Sequence, residues 1–115
     1  MDKQCVFCKI IKGEIKAKVV FENDSVLAFE DIDPKAPVHI LVIPKIHIEK
    51  ISDLNKQNKA VVSDMVMAAN EIAEKFKILT SGYRLVLNCG PDAGQAVFHI
   101  HMHLFGARKM NWPPG

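Results

Sequence analysis

The sequence predicts an α+β fold: a mainly antiparallel five-stranded sheet, one long helix and a short N-terminal helix. Three observations lead there. Short β-prone runs recur along the chain, apolar spacing of three and four residues is sustained only once, and turn residues separate the runs without any linker-like tract.

Residues 5–12 suit a short helix with Val6, Phe7, Ile10 and Ile11 on one side and Gly13 as its stop. Residues 19–21 and 26–29 are β-prone and flank Asn23-Asp24-Ser25, a hairpin turn. Pro34 and Pro37 defeat both helix and central strand, so 33–37 must be a loop. Residues 38–43 form a third strand ended by Pro44. Val62, Met65, Val66, Ala69, Ile72, Ala73 and Phe76 then recur at helical spacing, with Gly82 a terminator a few residues on. Lys59, Asp64, Asn70, Glu71, Glu74 and Lys75 fall mostly on the other faces. Residues 83–87 and 98–105 are the last two strands, parted by a turn-rich loop over 88–95.

With 115 residues, 49% of them apolar, the chain suits one domain over 1–115. Fifteen basic against thirteen acidic side chains give a net charge of +2, which argues against a nucleic-acid partner. The longest uninterrupted apolar run, residues 65–69, is far short of the roughly 20 residues needed to span a bilayer. Nothing apolar follows Met1-Asp2-Lys3-Gln4 that could serve as a secretory core. Three cysteines, an odd number, fit a reducing compartment, so a cytoplasmic location with no membrane partner is expected.

The informative residues are His99, His101 and His103. On a strand all three project from one side while Ile100, Met102 and Leu104 project from the other. Five histidines shuffled over this length would produce roughly 0.005 such triplets, so chance is an inadequate account. A solvated polar face is the bland explanation, but Ser, Thr, Lys or Glu would serve it equally well. Two chemical readings remain: a zinc centre held by the row itself, or an imidazole nucleophile with a neighbouring imidazole moving protons near pH 7. The loop before the row favours the second. Gly90 and Gly94 let backbone amides approach an anion, and Asn88 and Gln95 add amide donors.

Cys5 and Cys8, two residues apart, are half of a zinc site by spacing, a redox pair, or buried inert thiols. His47 is a donor outside the row, and His99 as fourth ligand would leave His101 free in a closed, structural site. Cys89 has no partner at motif spacing and is expected to pack. All five histidines lie in two strand regions, 39–47 and 99–103, which would gather them in one place if those strands are neighbours.

The stretch His99-Ile100-His101-Met102-His103-Leu104-Phe105 resembles the signature of the histidine triad superfamily. Residues 29–39, 43–47, Gly94-Gln95 and Trp112-Pro113-Pro114-Gly115 are similar to its nucleotide-binding Hint branch, over nearly the whole chain from Cys5 to Gly115. That resemblance implies the corresponding fold and a purine nucleoside phosphoramidase that hydrolyses adenosine 5′-monophosphoramidate-type substrates to AMP and an amine. By the likeness His101 is the nucleophile, giving a nucleotidyl-histidine that water resolves. His103 binds phosphate and helps move the proton, and His39 and His99 orient the other imidazoles. Asp31 accepts the ribose hydroxyls, Ile32, Phe29, Phe7 and Val6 line the base pocket, and Asn88, Gly94, Gln95 and the amide of Val97 surround the phosphate.

The resemblance also implies a homodimer with the long helix and a strand at its interface and the C-terminal tail near the partner's site. Cys5 and Cys8 match the zinc-binding subset, whose partner histidines correspond to His47 and His99. One departure is Ala96, where many relatives carry a serine that contacts the phosphoramidate end. The rival readings are a zinc-dependent hydrolase and a nucleotide-binding interaction protein whose hydrolysis is incidental.

Overall fold

The structure, a computed structural model, describes residues 4–114. The reading of Met1, Asp2 and Lys3, and of Gly115 in the tail motif, lies outside those residues. The five strands, β1 (Val19–Glu22), β2 (Val26–Glu30), β3 (Val38–Pro44), β4 (Tyr83–Leu87) and β5 (Met102–Gly106), form one sheet in the order β1-β2-β3-β5-β4. Every pairing is antiparallel. The expected hairpin is present: Asn23 Oδ1 accepts the amides of Ser25 and Val26 at 2.9 and 2.8 Å, an Asx turn that reverses the chain.

Both faces of the sheet centre are buried, which is why β3 reads as a continuous apolar run. Helix α2 (Ala60–Lys75) covers one face, packing Met65, Ala69, Ile72 and Ala73 against Val26, Ala28, Ile40, Val42, Met102 and Leu104. Ala68, not one of the expected stripe residues, is also buried in this stripe. On the other face helix α1 (Val6–Ile11) sets Cys5, Phe7 and Cys8 against Leu27, Phe29, Leu41 and Ile43. The expected apolar side of α1 holds at Phe7, Ile10 and Ile11 and is corrected at Val6. Cys8 turns inward and Val6 is left 37% exposed, because the helix docks through its thiols and Phe7. None of the described helices is long and apolar enough to cross a membrane.

Two further expectations change. The fifth strand starts at Met102 rather than at residue 98. Upstream, the amide of Ile100 donates to the carbonyl of Ile48 at 2.7 Å, so this stretch binds the segment after β3 instead of the ladder. Side-chain alternation nevertheless persists, with Ile100, Met102 and Leu104 in the core under α2. The second change is the end of α2. Lys77 (φ 60°), not Gly82, takes the left-handed position. Its amide reaches the carbonyl of Glu74 at 3.0 Å and that of Ile78 reaches Ala73 at 2.9 Å, the pattern of a Schellman cap. Gly82 (φ 102°) instead turns the chain into β4.

A lysine in left-handed backbone carries strain that glycine would not. Lys77→Gly is expected to stabilise the fold by about 0.5–1 kcal/mol, read from the urea midpoint. A midpoint that falls would show that the cap does not limit stability.

Candidate active site

The strand order β2-β3-β5 brings the histidines together. His39 stands on β3 and His103 on β5, while His101 and His99 precede β5 on irregular backbone and Asp31 follows β2. His39, His99 and His101 are all buried, at 5%, 0% and 7% exposure.

His39, His99 and His101 each meet a main-chain group that can only donate or only accept, and in the neutral ring this fixes where the proton sits. The amide of Lys35 donates to His39 Nδ1 at 3.1 Å, so His39 carries its proton on Nε2. That proton is donated to His103 Nδ1 at 3.0 Å, with an Asp31 oxygen 3.4 Å from the same nitrogen. His103 is thereby left with its proton on Nε2. His101 Nδ1–H donates to the carbonyl of His99 at 2.9 Å, which leaves Nε2 of His101 bearing a lone pair. His99 Nε2–H donates to the carbonyl of Pro44 at 2.8 Å, and its Nδ1 lone pair faces the cysteines. One ring offers a nucleophilic nitrogen and its neighbour, 5.1 Å away between centroids, offers a proton.

Burial away from water pushes His103 down to about 4, reinforced by the facing His101 and His39 and opposed by the Asp31 carboxylate. Burial also lowers His39, against the raising effect of Asp31. His99 falls for the same desolvation, which its bond to the Pro44 carbonyl partly counters.

A cleft of about 370 Å³ adjoins this group, lined by Val6, Phe7, Phe29, Asp31, Ile32 and Val97 among others. Phe7 links cleft and histidines, its ring meeting those of His101 and Phe29 edge-on at 5.1 and 5.7 Å. Ile32 is fully exposed at the rim. Asp31 sits where the cleft meets the histidines, one oxygen accepting the amide of Asp33 at 2.8 Å.

The loop over 88–95 departs from expectation at Gln95. Its carboxamide is no anion donor, because it is buried and spent within the protein. Oε1 accepts the amide of Gly90 at 2.9 Å, and Nε2 donates to the carbonyls of Glu49 and Val97 at 2.7 and 3.1 Å. Asn88 follows directly on the Leu87–Met102 pair, as His101 directly precedes it, and Gly94 (φ 84°) is exposed in the loop. Cys89, expected to pack, is only partly buried, and hydrogen bonding from Ser52 lowers its thiol.

Cys5, Cys8, His47 and His99 form a second group, with one ligand atom of each within 4.8 Å of all the others. The separations are 3.4 Å for Cys5 Sγ–His99 Nδ1, 3.2 Å for Cys8 Sγ–His47 Nδ1, 3.6 Å for Cys8 Sγ–His99 Nδ1 and 3.2 Å between the two Nδ1 atoms. Tetrahedral zinc, at roughly 2.3 Å from sulfur and 2.0 Å from nitrogen, requires edges of about 3.3–3.8 Å. Thiols and imidazole lone pairs converge here at nearly those edges, and the His99–Pro44 bond supplies the usual outer-shell partner, so the four residues fit a zinc ion. Asp31, His39 and His103 are also mutually close, but their ligand atoms already bond one another.

Sequence reasoning missed Ile10, Ile15 and Leu41 in the cleft, and Phe105, whose ring lies 4.2 Å from that of His39 and 5.6 Å from that of His103. It also missed the Lys35 amide and Pro44 carbonyl, main-chain groups that residue type does not signal.

Residues 12–110 match the model of the HIT domain family. A 14 kDa zinc-binding protein from Zea mays is 45% identical over 116 residues, covering 99% of this chain and 90% of its own. A HIT family hydrolase from Legionella pneumophila superposes with a TM-score of 0.95 at 48% identity, covering 97% of this chain and 100% of its own. A histidine triad nucleotide-binding protein from Candida albicans does so at 0.82 and 32%, covering 96% of this chain and 83% of its own.

Folded His103 and His39 hold fewer protons than the unfolded chain does in mildly acidic solution. The stability they contribute is complete above pH ~6.5 and is lost as the pH falls toward the folded value of His103, about 4. The melting temperature is therefore expected to drop between pH 7 and pH 5, and His103→Gln, which spares the four-ligand group, to flatten that drop. Equal slopes in the two proteins would contradict the burial argument.

Proposed function

The chain belongs to the HIT domain family, and from that premise we propose that it is a purine nucleoside phosphoramidase of the Hint branch. The observation that supports this is the hydrogen bond from His101 Nδ1–H to the His99 carbonyl, which in the neutral ring leaves on Nε2 the lone pair that a nucleophile needs. The apolar cleft beside it suits a purine between Phe7, Phe29, Val6 and Ile32, with Asp31 at the junction to take the ribose hydroxyls. Asn88, Gly94 and the amide of Val97 then flank the phosphate. Gln95 serves by holding that loop in shape.

His103 is neutral at pH 7 in the free protein, and the negative charge of a bound phosphate raises its proton affinity. Nε2 of His101 forms a bond to the α-phosphorus as the P–N bond breaks, and the departing nitrogen takes the proton that His103 gained with the substrate. The positive charge left on His101 is met by the His99 carbonyl. Water then attacks phosphorus and gives a proton back to His103, and the His101–phosphorus bond breaks to release AMP. Protonation of nitrogen weakens the P–N bond enough that the nucleophile and the proton donor suffice. Ala96 offers no hydroxyl to the leaving amine.

A zinc ion on Cys5, Cys8, His47 and His99 would be structural, fastening α1, and with it Val6 and Phe7, to the histidine segment. A cytoplasmic homodimer over the single domain completes the reading. In support, β4 is an edge of the sheet and Trp112 of the tail is 83% exposed.

Purified protein is expected to release AMP from an adenosine phosphoramidate, and His101→Ala to lose at least ~10³ in rate. Mass spectrometry of protein quenched in turnover should find the nucleotide on His101; activity surviving His101→Ala would refute the assignment. Stripping zinc with a chelator, with folding followed by circular dichroism, is expected to lower the melting temperature more than kcat. Immediate loss of turnover in protein that stays folded would favour the zinc-dependent hydrolase instead.

A further inference from the structure

The register of β3 against β5 poses a geometric problem at His39. Its direct cross-strand partner is Phe105, whereas His103 lies opposite Leu41. The hydrogen bond of His39 nevertheless runs to the diagonal neighbour His103, at 3.0 Å. Directly opposite residues are the natural contacts in a sheet, and diagonal ones are reached only when a side chain leans along the strand. The Phe105 ring fills the space opposite, 4.2 Å from the His39 ring at 37°, and lies parallel to His103, at 5.6 Å and 2°. One phenyl ring thus touches both members of the hydrogen-bonded pair.

Two other anchors act on the same pair, and neither replaces Phe105. The Lys35 amide fixes the edge of His39 through Nδ1, and the Asp31 carboxylate lies 3.4 Å from Nε2. Both act on the nitrogens at the edge of the His39 ring, whereas the phenyl ring of Phe105 packs beside the ring itself and limits its tilt.

We propose that Phe105 is a positioning residue: its ring holds His39 turned toward His103, so that His103 Nδ1 accepts and His103 Nε2 presents the proton. This deepens the phosphoramidase reading and rests on it only for the kinetic consequence. Phe105 itself touches no reacting atom.

The test uses the full chain with Phe105→Leu, which removes the ring faces but keeps most of the volume, and Phe105→Tyr, which keeps the ring. Phe105→Met stands in should the leucine variant fail to give a folded amide spectrum. Two-bond proton–nitrogen correlation spectra of the imidazoles report the tautomer directly. In the wild type and Phe105→Tyr, His103 is expected in the Nε2–H form; in Phe105→Leu it becomes a mixture. With an adenosine phosphoramidate, kcat of Phe105→Leu is expected to fall roughly tenfold at near-constant KM, and Phe105→Tyr to restore it. An unchanged His103 tautomer in the folded Phe105→Leu or Phe105→Met protein overturns the proposal. If the wild type hydrolyses no phosphoramidate, the functional reading fails, while the spectra still decide the role of Phe105.

Discussion

The bond from His101 Nδ1 to the carbonyl of His99 is the constraint on which the arrangement of the candidate site turns. An imidazole has two nitrogens and, when neutral, one proton, so a ring becomes a nucleophile at one end only if the other end is occupied. Here the occupant belongs to the main chain, two residues back, and the geometry exists because residues 98–101 leave the ladder before β5 begins. Had the strand started at residue 98, the His99 carbonyl would have been directed into sheet pairing. The irregular backbone is thus part of the site. It also turns His99 toward Cys5, Cys8 and His47, so one departure from regular structure separates a metal-fitting ring from the proposed nucleophile two residues later.

Much of this was legible in the sequence. The five strands and α2 follow from apolar spacing and turn chemistry, and β3 stands out because a strand covered on both faces has no reason to alternate. Gathering the histidines required only that 38–43 and the triad segment be neighbours, and the β3–β5 pairing makes them so. The cysteine spacing led to the four-ligand group because a tetrahedral ion needs four donors and the chain has few other candidates.

What was not legible has a common cause. Gln95 looks like a donor in an anion loop by residue type, and only the fold shows its carboxamide consumed by Gly90, Glu49 and Val97. Lys35 and Pro44 act through backbone atoms that every residue possesses. At the end of α2, Gly82 carried the helix-stop signal, yet Lys77 adopts the left-handed turn because Ile78 must reach the core five residues after Ala73. Composition records what a residue offers; burial and partners decide what remains to be used.

The same carboxamide has a thermodynamic side. Gly90 and Gln95 bond each other twice, side chain to amide and amide to carbonyl, closing the exposed turn at 91–94 into a ring of chain. A glycine-containing loop left open would have to surrender its freedom on each encounter with an anion, weakening every capture by that entropy. Here the surrender happens once, when the polypeptide folds, so the arc is already set for the phosphate of the proposed reaction.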